Sequence, residues 1–503
     1  MKEIVDVLNN AVLWVNDNIL WGVPMILMII GTGVFLTIKS RFMQVRKFGD
    51  SLKSTIAPTV KSIFTGDKKA KTKKEKSVSQ FEAFSAAISG TVGTGNIIGV
   101  AGAMISGGPG AVFWMWVSAF FGLFTNYSEN VLGLYYRKRD KEGNFSGGPM
   151  YYIENGVKCR PLAKIFALCC TLAAIGMSMV QVNSISGTVQ MLAAPETGES
   201  KVAAIITGLV VAALTAAIVI GGIQAIGRVA SLIVPFMALL FIILAFVIIG
   251  TNITAVPAAF AAIIKGAFSL KAVGGGLLGY TIMISMRYGC ARGVFSNEAG
   301  LGSSVIAHSA SETREPVMQG LWGIFEVFFD TFVICTLTAL SLLCTGLYDF
   351  TDITGNAGVL NKNLVARSAM ATTYGNFGTL MFSIILPLFA FTTILAWSYY
   401  GQKAAEYLFD KKSKTSGTVF KVIYVILIVI GAIVASDFVW NLDDFFNAAM
   451  AIPNLIALII LSGTIIKISR NYYERKAGKN VKPMLSAYDD MNEEFIKDIQ
   501  NKE

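Results

Sequence analysis

The sequence is poor in charge and almost lacks histidine. Only 15% of its 503 residues are charged, whereas a soluble chain usually carries about 25%, so an ordinary soluble domain is excluded. The only histidine, His308, excludes a histidine-rich metal centre. The six cysteines lie in apolar runs or basic loops, so we expect free thiols and no disulfide framework.

Motifs of phosphate binding and of nucleophilic catalysis are also missing. The glycine-rich run SGTVGTGNIIG at 89–99 lacks the Lys-Ser/Thr pair and the preceding strand of a phosphate-binding loop. Its TVGTG core is similar to the TVGYG filter of potassium channels, but it occurs once, within a segment long enough to cross a membrane. We expect neither an ATP-driven pump nor an enzyme, because no nucleophile–base pattern is present.

Apolar residues dominate the sequence. They make up 54% of the chain, and runs of about 20 recur without the alternation of a membrane β-barrel. The pattern predicts an all-α membrane protein. Eleven transmembrane helices are expected, at 20–38, 83–106, 112–135, 162–192, 202–221, 229–250, 275–290, 320–346, 377–402, 419–435 and 444–467.

Charge in the loops predicts the orientation of the chain. The connection 39–76 holds twelve Lys and Arg residues, and the other basic loops fall on the same side if eleven helices cross. The positive-inside rule makes that side the cytoplasm, with the N-terminus outside and the C-terminus inside. The net charge of +10 is then explained by topology and anionic lipid, and no nucleic-acid partner is expected.

The second predicted helix is crowded with glycine. Gly90, Gly93 and Gly95 lie beside Thr91 and Thr94, and each glycine weakens a helix by about 1 kcal/mol relative to alanine. Unwinding frees backbone groups that protein, water or ligand must satisfy in lipid. The sequence therefore predicts a broken helix with a polar binding site, although close helix packing is an alternative role for the glycines.

A second glycine-rich helix, at 274–289, follows five helices later. Two such helices in corresponding positions of two halves are typical of inverted-repeat transporters. We therefore predict an N-terminal helix and basic cytoplasmic linker at 1–80, repeats at 81–250 and 251–467, and a cytoplasmic tail at 468–503.

Several blocks resemble the alanine or glycine:cation symporter family. They are GTVGTGNIIGVAGAMISGGPGAVFWMW (90–116), SGGPMYYIENG (146–156), RGVFSNEAGLGSS (292–304), FAFTTILAWSYYGQKAAEYLF (389–409) and AMAIPNLIALI (449–459). The resemblance implies a LeuT-like fold of inverted five-helix repeats with one extra N-terminal helix. It also implies symport of a small neutral amino acid, alanine or glycine, with sodium.

The substrate implied by this resemblance is a zwitterion. Its carboxylate needs N–H donors and a positive dipole end, which the backbone near Gly95 offers at the start of a half-helix. Its ammonium group needs acceptors on the second broken helix, and bulky side chains would limit its size. The candidate substrate residues are Thr91, Gly93, Thr94, Gly95, Gln181, Gly279, Thr281, Met283 and Trp397. Interhelical hydrogen bonding is an equal alternative for Gln181, and packing is an equal alternative for Trp397.

Sodium needs oxygen ligands, and the related fold implies a site between the second and ninth helices. The candidate ligands there are Ser89, Val92, Thr392 and Thr393, and Asn96 is a candidate ligand elsewhere. Hydrogen bonding of the paired threonines to their own helix is the alternative. A second sodium ion could use Asn96 and Thr91 together with the substrate carboxylate.

Four acidic residues in or beside the predicted helices have no assigned role: Glu129, Glu298, Glu326 and Asp330. Glu129, Glu326 and Asp330 can relay protons or pair with Arg287 or Arg292, and Glu298 can act as an inner gate or cap. The prediction is thus a sodium-coupled symporter that works by alternating access. Proton coupling is the alternative, followed by a channel or passive pore.

Overall fold

The structure is a computed structural model that describes residues 11–65, 78–140, 143–194, 198–269, 280–353, 360–409, 413–434 and 436–500. Within these ranges the regular structure is almost wholly helical. The exception is a short hairpin, in which β1 (Lys138–Arg139) pairs antiparallel with β2 (Phe145–Ser146).

The α-helices are α1 (Val23–Lys39), α2 (Met43–Arg46), α3 (Phe48–Thr65), α4 (Gln80–Thr91), α5 (Ile98–Gly107), α6 (Gly110–Tyr135), α7 (Pro149–Tyr152), α8 (Arg160–Ala193), α9 (Lys201–Val219), α10 (Gly222–Thr251), α11 (Val256–Ala267), α12 (Tyr280–Asn297), α13 (Val305–His308), α14 (Pro316–Val327), α15 (Thr336–Cys344), α16 (Lys362–Tyr374), α17 (Asn376–Leu408), α18 (Ser413–Gly431), α19 (Ser436–Ile460), α20 (Ser462–Lys476) and α21 (Asp489–Gln500). Short 3₁₀ turns span Thr94–Asn96 and Ile253–Ala255, and π-helical turns span Asn16–Leu20, Ile153–Val157 and Phe328–Cys335. The last π turn joins α14 to α15.

Each of the eleven predicted membrane helices overlaps a helix of the structure. Among the described residues, seven helices are long and apolar enough to cross a membrane by length and composition. They are Arg160–Ala193, Lys201–Val219, Gly222–Thr251, Pro316–Cys344, Asn376–Leu408, Lys414–Gly431 and Phe438–Ile460. The multi-pass α-helical class is confirmed, whereas the number eleven, the repeat boundaries and the orientation stay predictions.

Lipid-facing surfaces are visible as apolar stripes. One face of α10 exposes large side chains at helical spacing, while Met237 and Phe241 on its other face are buried. The exposed residues are Leu232, Phe236, Leu239, Ile243 and Phe246. A helix that is apolar on its exposed face as well as its buried face fits contact with lipid on one side and protein on the other.

The first predicted helix break is confirmed. The chain leaves α4 after Thr91, forms a single 3₁₀ turn at Thr94–Asn96 and enters α5 at Ile98. Between the two half-helices, Val92 has non-helical backbone angles and Gly93 is extended. The helix is therefore interrupted at the run of glycines, as their low helix propensity predicted.

The glycines of the second predicted broken helix, at 274–279, lie outside the described residues, so that break stays a prediction, and the structure describes a second break further along the chain. Gly279 falls outside the described residues, and from Tyr280 to Asn297 the chain forms one helix that includes Thr281. The break follows this helix, where Glu298, Gly300 and Gly302 have φ angles of +56°, +94° and +76°. Left-handed backbone at these residues ends α12, and the chain becomes helical again at Val305.

Candidate functional site

The backbone of the first break is held by neutral side chains. The N–H group of Gly93 donates to Asn96 Oδ1 at 2.8 Å, and the N–H group of Thr94 donates to Gln181 Oε1 at 3.4 Å. The buried hydroxyl oxygen of Thr94 has no hydrogen-bond partner in the described chain. The amide oxygens of Asn96 and Gln181 thus occupy two backbone N–H donors that could equally bind a carboxylate.

Gly93 also brings α17 against the break. A Cβ atom added at Gly93 would overlap Thr393 Oγ1, so the close approach of this hydroxyl depends on the glycine. The Thr393 hydroxyl lies 3.0 Å from the carbonyl oxygen of Ser89 and 3.1 Å from that of Phe389. Ser89, Gly93 and Thr393 therefore meet at the C-terminal end of α4, where the helix dipole favours a cation.

The neighbouring threonines do not join this cluster. The Thr392 hydroxyl faces carbonyls of its own helix, those of Leu388 and Phe389. The Thr91 hydroxyl likewise lies 3.2 Å from the Ile88 carbonyl. Val92 is buried and caps α4, adjoining the cluster through its backbone.

Asn96 connects the first break to two other elements. Its amide nitrogen Nδ2 donates to Asp330 Oδ1 at 2.6 Å, and the Ser296 hydroxyl donates to the two carboxylate oxygens of Asp330 at 3.1 and 3.0 Å. The Thr331 hydroxyl is a further donor, at 2.8 Å. All four side chains are buried, so the two broken helices meet through an oxygen-rich cluster with one carboxylate.

Carboxylates hold the second break. Glu298 accepts a hydrogen bond from Trp397 Nε1 at 2.9 Å through Oε1 and one from the Ser303 hydroxyl at 2.5 Å through Oε2. Trp397 is fully buried, so α17 is tied to this break as well as to the first. Glu298 therefore ties its own loop, through Ser303, to Trp397 on α17.

Glu129 and Asn454 clamp the same loop from α6 and α19. The N–H group of Gly300 donates to Glu129 Oε1 at 3.0 Å, and Asn454 Nδ2 donates to Glu129 Oε1 at 2.5 Å and to the Gly300 carbonyl at 2.9 Å. Tyr152 donates to Asn454 Oδ1 in turn. Helices distant in sequence thus satisfy backbone groups that the break leaves without helical partners.

His308 belongs to a buried series of hydrogen-bonded side chains that also contains Gln319 and Glu326. Gln319 Nε2 lies 2.6 Å from His308 Nδ1, and His308 Nε2 lies 2.8 Å from Glu326 Oε2. An amide N–H can only donate, so Nδ1 accepts and Nε2 carries the proton that faces Glu326. Of the two arginines considered as partners for these acids, Arg292 instead pairs with Asp444 at 2.5 Å.

Three predicted site residues are not part of the described centre. Met283 is 41% exposed, and the side chain of Thr281 and all of Gly279 lie outside what the structure describes. Gln181 is buried and reaches Thr94. In the described part of the chain, no three His, Cys, Asp or Glu side chains are grouped to hold a metal ion.

Sequence reasoning named Asp330 without placing it at this centre, and it missed Ser296. Asp330 was recognisable as an acid within a membrane helix, but its contact with Asn96 joins residues far apart in the chain. Ser296 carried no signal of its own, because a serine inside a helix is usually bonded to its own backbone.

Comparison with known proteins gives the family. A model of the sodium:alanine symporter family matches residues 5–486. The sodium/alanine symporter AgcS of Methanococcus maripaludis is 41% identical over 463 residues, which cover 91% of this chain and 96% of that protein. The amino-acid carrier protein AlsT of Bacillus subtilis is 35% identical over 471 residues, 93% of each chain.

A solved structure is also similar to this chain. It is MhsT in complex with L-phenylalanine, at 15% identity and a TM-score of 0.49, with coverage of 80% of this chain and 90% of that one. The family and its named members are transporters and not enzymes, as expected. The chain belongs to the sodium:alanine symporter family.

Proposed function

We propose that this protein carries a small neutral amino acid, alanine and/or glycine, into the cell together with sodium by alternating access. The observation that carries the proposal is the meeting of two broken helices through Asn96, Ser296 and Asp330, all buried. Unwound segments near the middle of a membrane protein supply main-chain dipoles for ions and small polar solutes. The orientation, with the N-terminus outside, is part of the proposal.

The substrate carboxylate would bind the first break. The N–H groups of Gly93 and Thr94 now donate to Asn96 and Gln181, and a carboxylate forms stronger hydrogen bonds than an amide oxygen does. The N-terminus of α5 adds a favourable dipole. A carboxylate could therefore displace these side-chain oxygens, and the unpartnered Thr94 hydroxyl would offer one more donor.

Sodium would bind at one or both of two oxygen clusters. The first comprises the Ser89 carbonyl and the Thr393 hydroxyl, at the negative end of α4. The second comprises Asn96, Ser296 and Asp330, where the carboxylate balances the ionic charge. Both clusters contact the first break, so ion binding and substrate binding would stabilise the same backbone.

The test is uptake of labelled alanine and glycine into proteoliposomes that contain the purified chain. An inward sodium gradient should drive accumulation, and replacing sodium with potassium should abolish it. Glutamine serves as a larger neutral competitor, which should inhibit weakly if the pocket is small. Uptake that persists without sodium would overturn the ion assignment.

Proton coupling is the second candidate, because Asp330 is a buried carboxylate at the junction of the breaks. A pH gradient imposed without sodium should drive uptake only under this alternative. Counterflow tests the channel alternative. Unlabelled alanine loaded inside should accelerate entry of labelled alanine through an alternating site, and a passive pore would show no acceleration.

A further inference from the structure

Helix α19 carries a buried acid that none of the interactions above uses. Asp443 is fully buried, and apart from Asn447 no group in the described chain forms a hydrogen bond with its carboxylate. Asn447, one helical turn further on the same face, is also fully buried and has no other partner there. The pair therefore keeps unused hydrogen-bonding capacity, whereas buried polar groups are nearly always fully paired.

The charges around Asp443 do not balance. Arg292 donates to both carboxylate oxygens of the neighbouring Asp444, at 3.0 and 2.5 Å, and so neutralises that residue. The three side chains together keep one excess negative charge. The other titratable groups that act on Asp443 are Glu298 and Tyr424, neither of which supplies a positive charge.

Close packing leaves Asp443 little access to water. A Cβ atom added at Gly176 on α8 would lie 3.0 Å from Asp443 Oδ1, so the glycine lets the backbone of α8 pass beside the carboxylate. An unpaired carboxylate is unfavourable in such surroundings, because burial removes its hydration. A bound cation removes this penalty.

We propose that Asp443 and Asn447 form a binding site for a monovalent cation, H⁺ or Na⁺, in addition to the clusters at Thr393 and Asn96. The carboxylate supplies the charge, and the Asn447 amide supplies a neutral oxygen ligand for sodium or a hydrogen-bond partner for a protonated acid. The site deepens the proposed function and rests on it, since the bound cation would be carried with the amino acid.

Packed aromatic side chains connect this site to the first break. Trp440, one turn before Asp443, stacks on Phe295 with ring centroids 5.3 Å apart. The Phe295 ring lies 3.3 Å from the position of a Cβ atom at Gly95. A change in charge at Asp443 can therefore alter how α19 and α12 pack against the substrate backbone.

The test counts cations per alanine. The full chain, wild type or Asp443→Asn, is reconstituted in proteoliposomes, and uptake of labelled alanine and of ²²Na⁺ is measured together. The membrane potential at which an alanine gradient produces no net flux gives the charge moved per alanine, and it is measured from acidic to alkaline pH. Asp443→Asn should lower that charge by one.

The two cations give different results. If the site binds Na⁺, the number of ²²Na⁺ ions per alanine also falls by one. If it binds H⁺, that number stays constant and the pH dependence of the charge is lost in Asp443→Asn. Asp349→Asn, which neutralises an exposed acid, is the matched control and should keep wild-type values.

If Asp443→Asn does not fold, Asn447→Ala provides the second test of the cation site. It should keep the stoichiometry and weaken the apparent affinity for the cation about tenfold, the effect of losing one contact to a charged group. Unchanged charge per alanine in Asp443→Asn, or unchanged cation dependence in Asn447→Ala, would overturn the site. Wild-type uptake that needs no cation would instead contradict the symport proposal.

Discussion

The two helix breaks differ in the chemistry that holds them. Around Gly93 and Thr94 the acceptors are the amide oxygens of Asn96 and Gln181, whereas around Gly300 the acceptor is the Glu129 carboxylate. Asn454 in addition holds the Gly300 carbonyl at 2.9 Å, so both backbone groups of Gly300 are bonded by side chains of other helices. The difference indicates that the second break is a fixed scaffold and that the first break is the part that a ligand can rearrange.

The largest expected effect comes from removing a carboxylate of the second break. Glu298→Ala leaves the Trp397 indole N–H and the Ser303 hydroxyl buried without their acceptor. The free energy of unfolding should fall by about 3 kcal/mol, and uptake should be lost. Thermal unfolding in detergent and uptake assays measure both quantities. Glu298→Gln, which keeps one acceptor, should unfold at a higher temperature than Glu298→Ala, and equal melting temperatures for wild type and Glu298→Ala would remove the scaffold interpretation.

At the first break, Gly93→Ala should abolish transport with little loss of stability. The new methyl group would displace Thr393 from the Ser89 carbonyl, but it would leave the second break intact. Uptake should fall to background while the melting temperature changes little. Gly95→Ala is the control, because its methyl group would lie 3.3 Å from the Phe295 ring and needs only a small shift. Equal uptake by the two variants would contradict the close approach at Gly93.

Thr393→Ala tests the cation cluster at the end of α4. The sodium concentration for half-maximal uptake should rise about tenfold, since one oxygen contact to the ion is lost. Thr392→Ala should change that concentration by less than about twofold, because its hydroxyl faces its own helix. The same sodium dependence in wild type and Thr393→Ala would exclude Thr393 as a ligand.

The smallest expected effect concerns Gln181. Gln181→Glu keeps the size of the side chain but places a negative acceptor near the Thr94 N–H group. It should raise the KM for alanine about fivefold, because it holds that donor more strongly and repels the substrate carboxylate. Gln181→Met is the uncharged control. An unchanged KM in Gln181→Glu would mean that the carboxylate binds elsewhere.

The first break was predictable because its cause is local. Five glycines from Gly90 to Gly102 weaken the helix whatever surrounds it. The second break depends on Glu129 and Asn454, which lie more than 150 residues from the loop they hold in each case. Counting glycines could not indicate this break, because acceptors distant in sequence stabilise the left-handed backbone at 298–302.

Packing also decided between adjacent residues that the sequence could not separate. Thr392 and Thr393 have the same chemistry, but successive residues point about 100° apart on a helix, and only Thr393 reaches α4. Similarly, Met283 had suitable bulk for a pocket wall, yet its helix turns it toward the exposed surface.

The π-helical turn at Phe328–Cys335 sets the angular register of the junction. In a π-helical turn the hydrogen bonds join residues that are five apart, so Asp330 and Cys335 lie on the same side of the helix. Both contact Asn96 Nδ2, at 2.6 and 3.4 Å. Deleting one residue to restore ordinary winding would rotate one of them away by about 100°. The extra residue of the π-helical turn therefore allows Asp330 and Cys335, on one helix, to contact the same amide group.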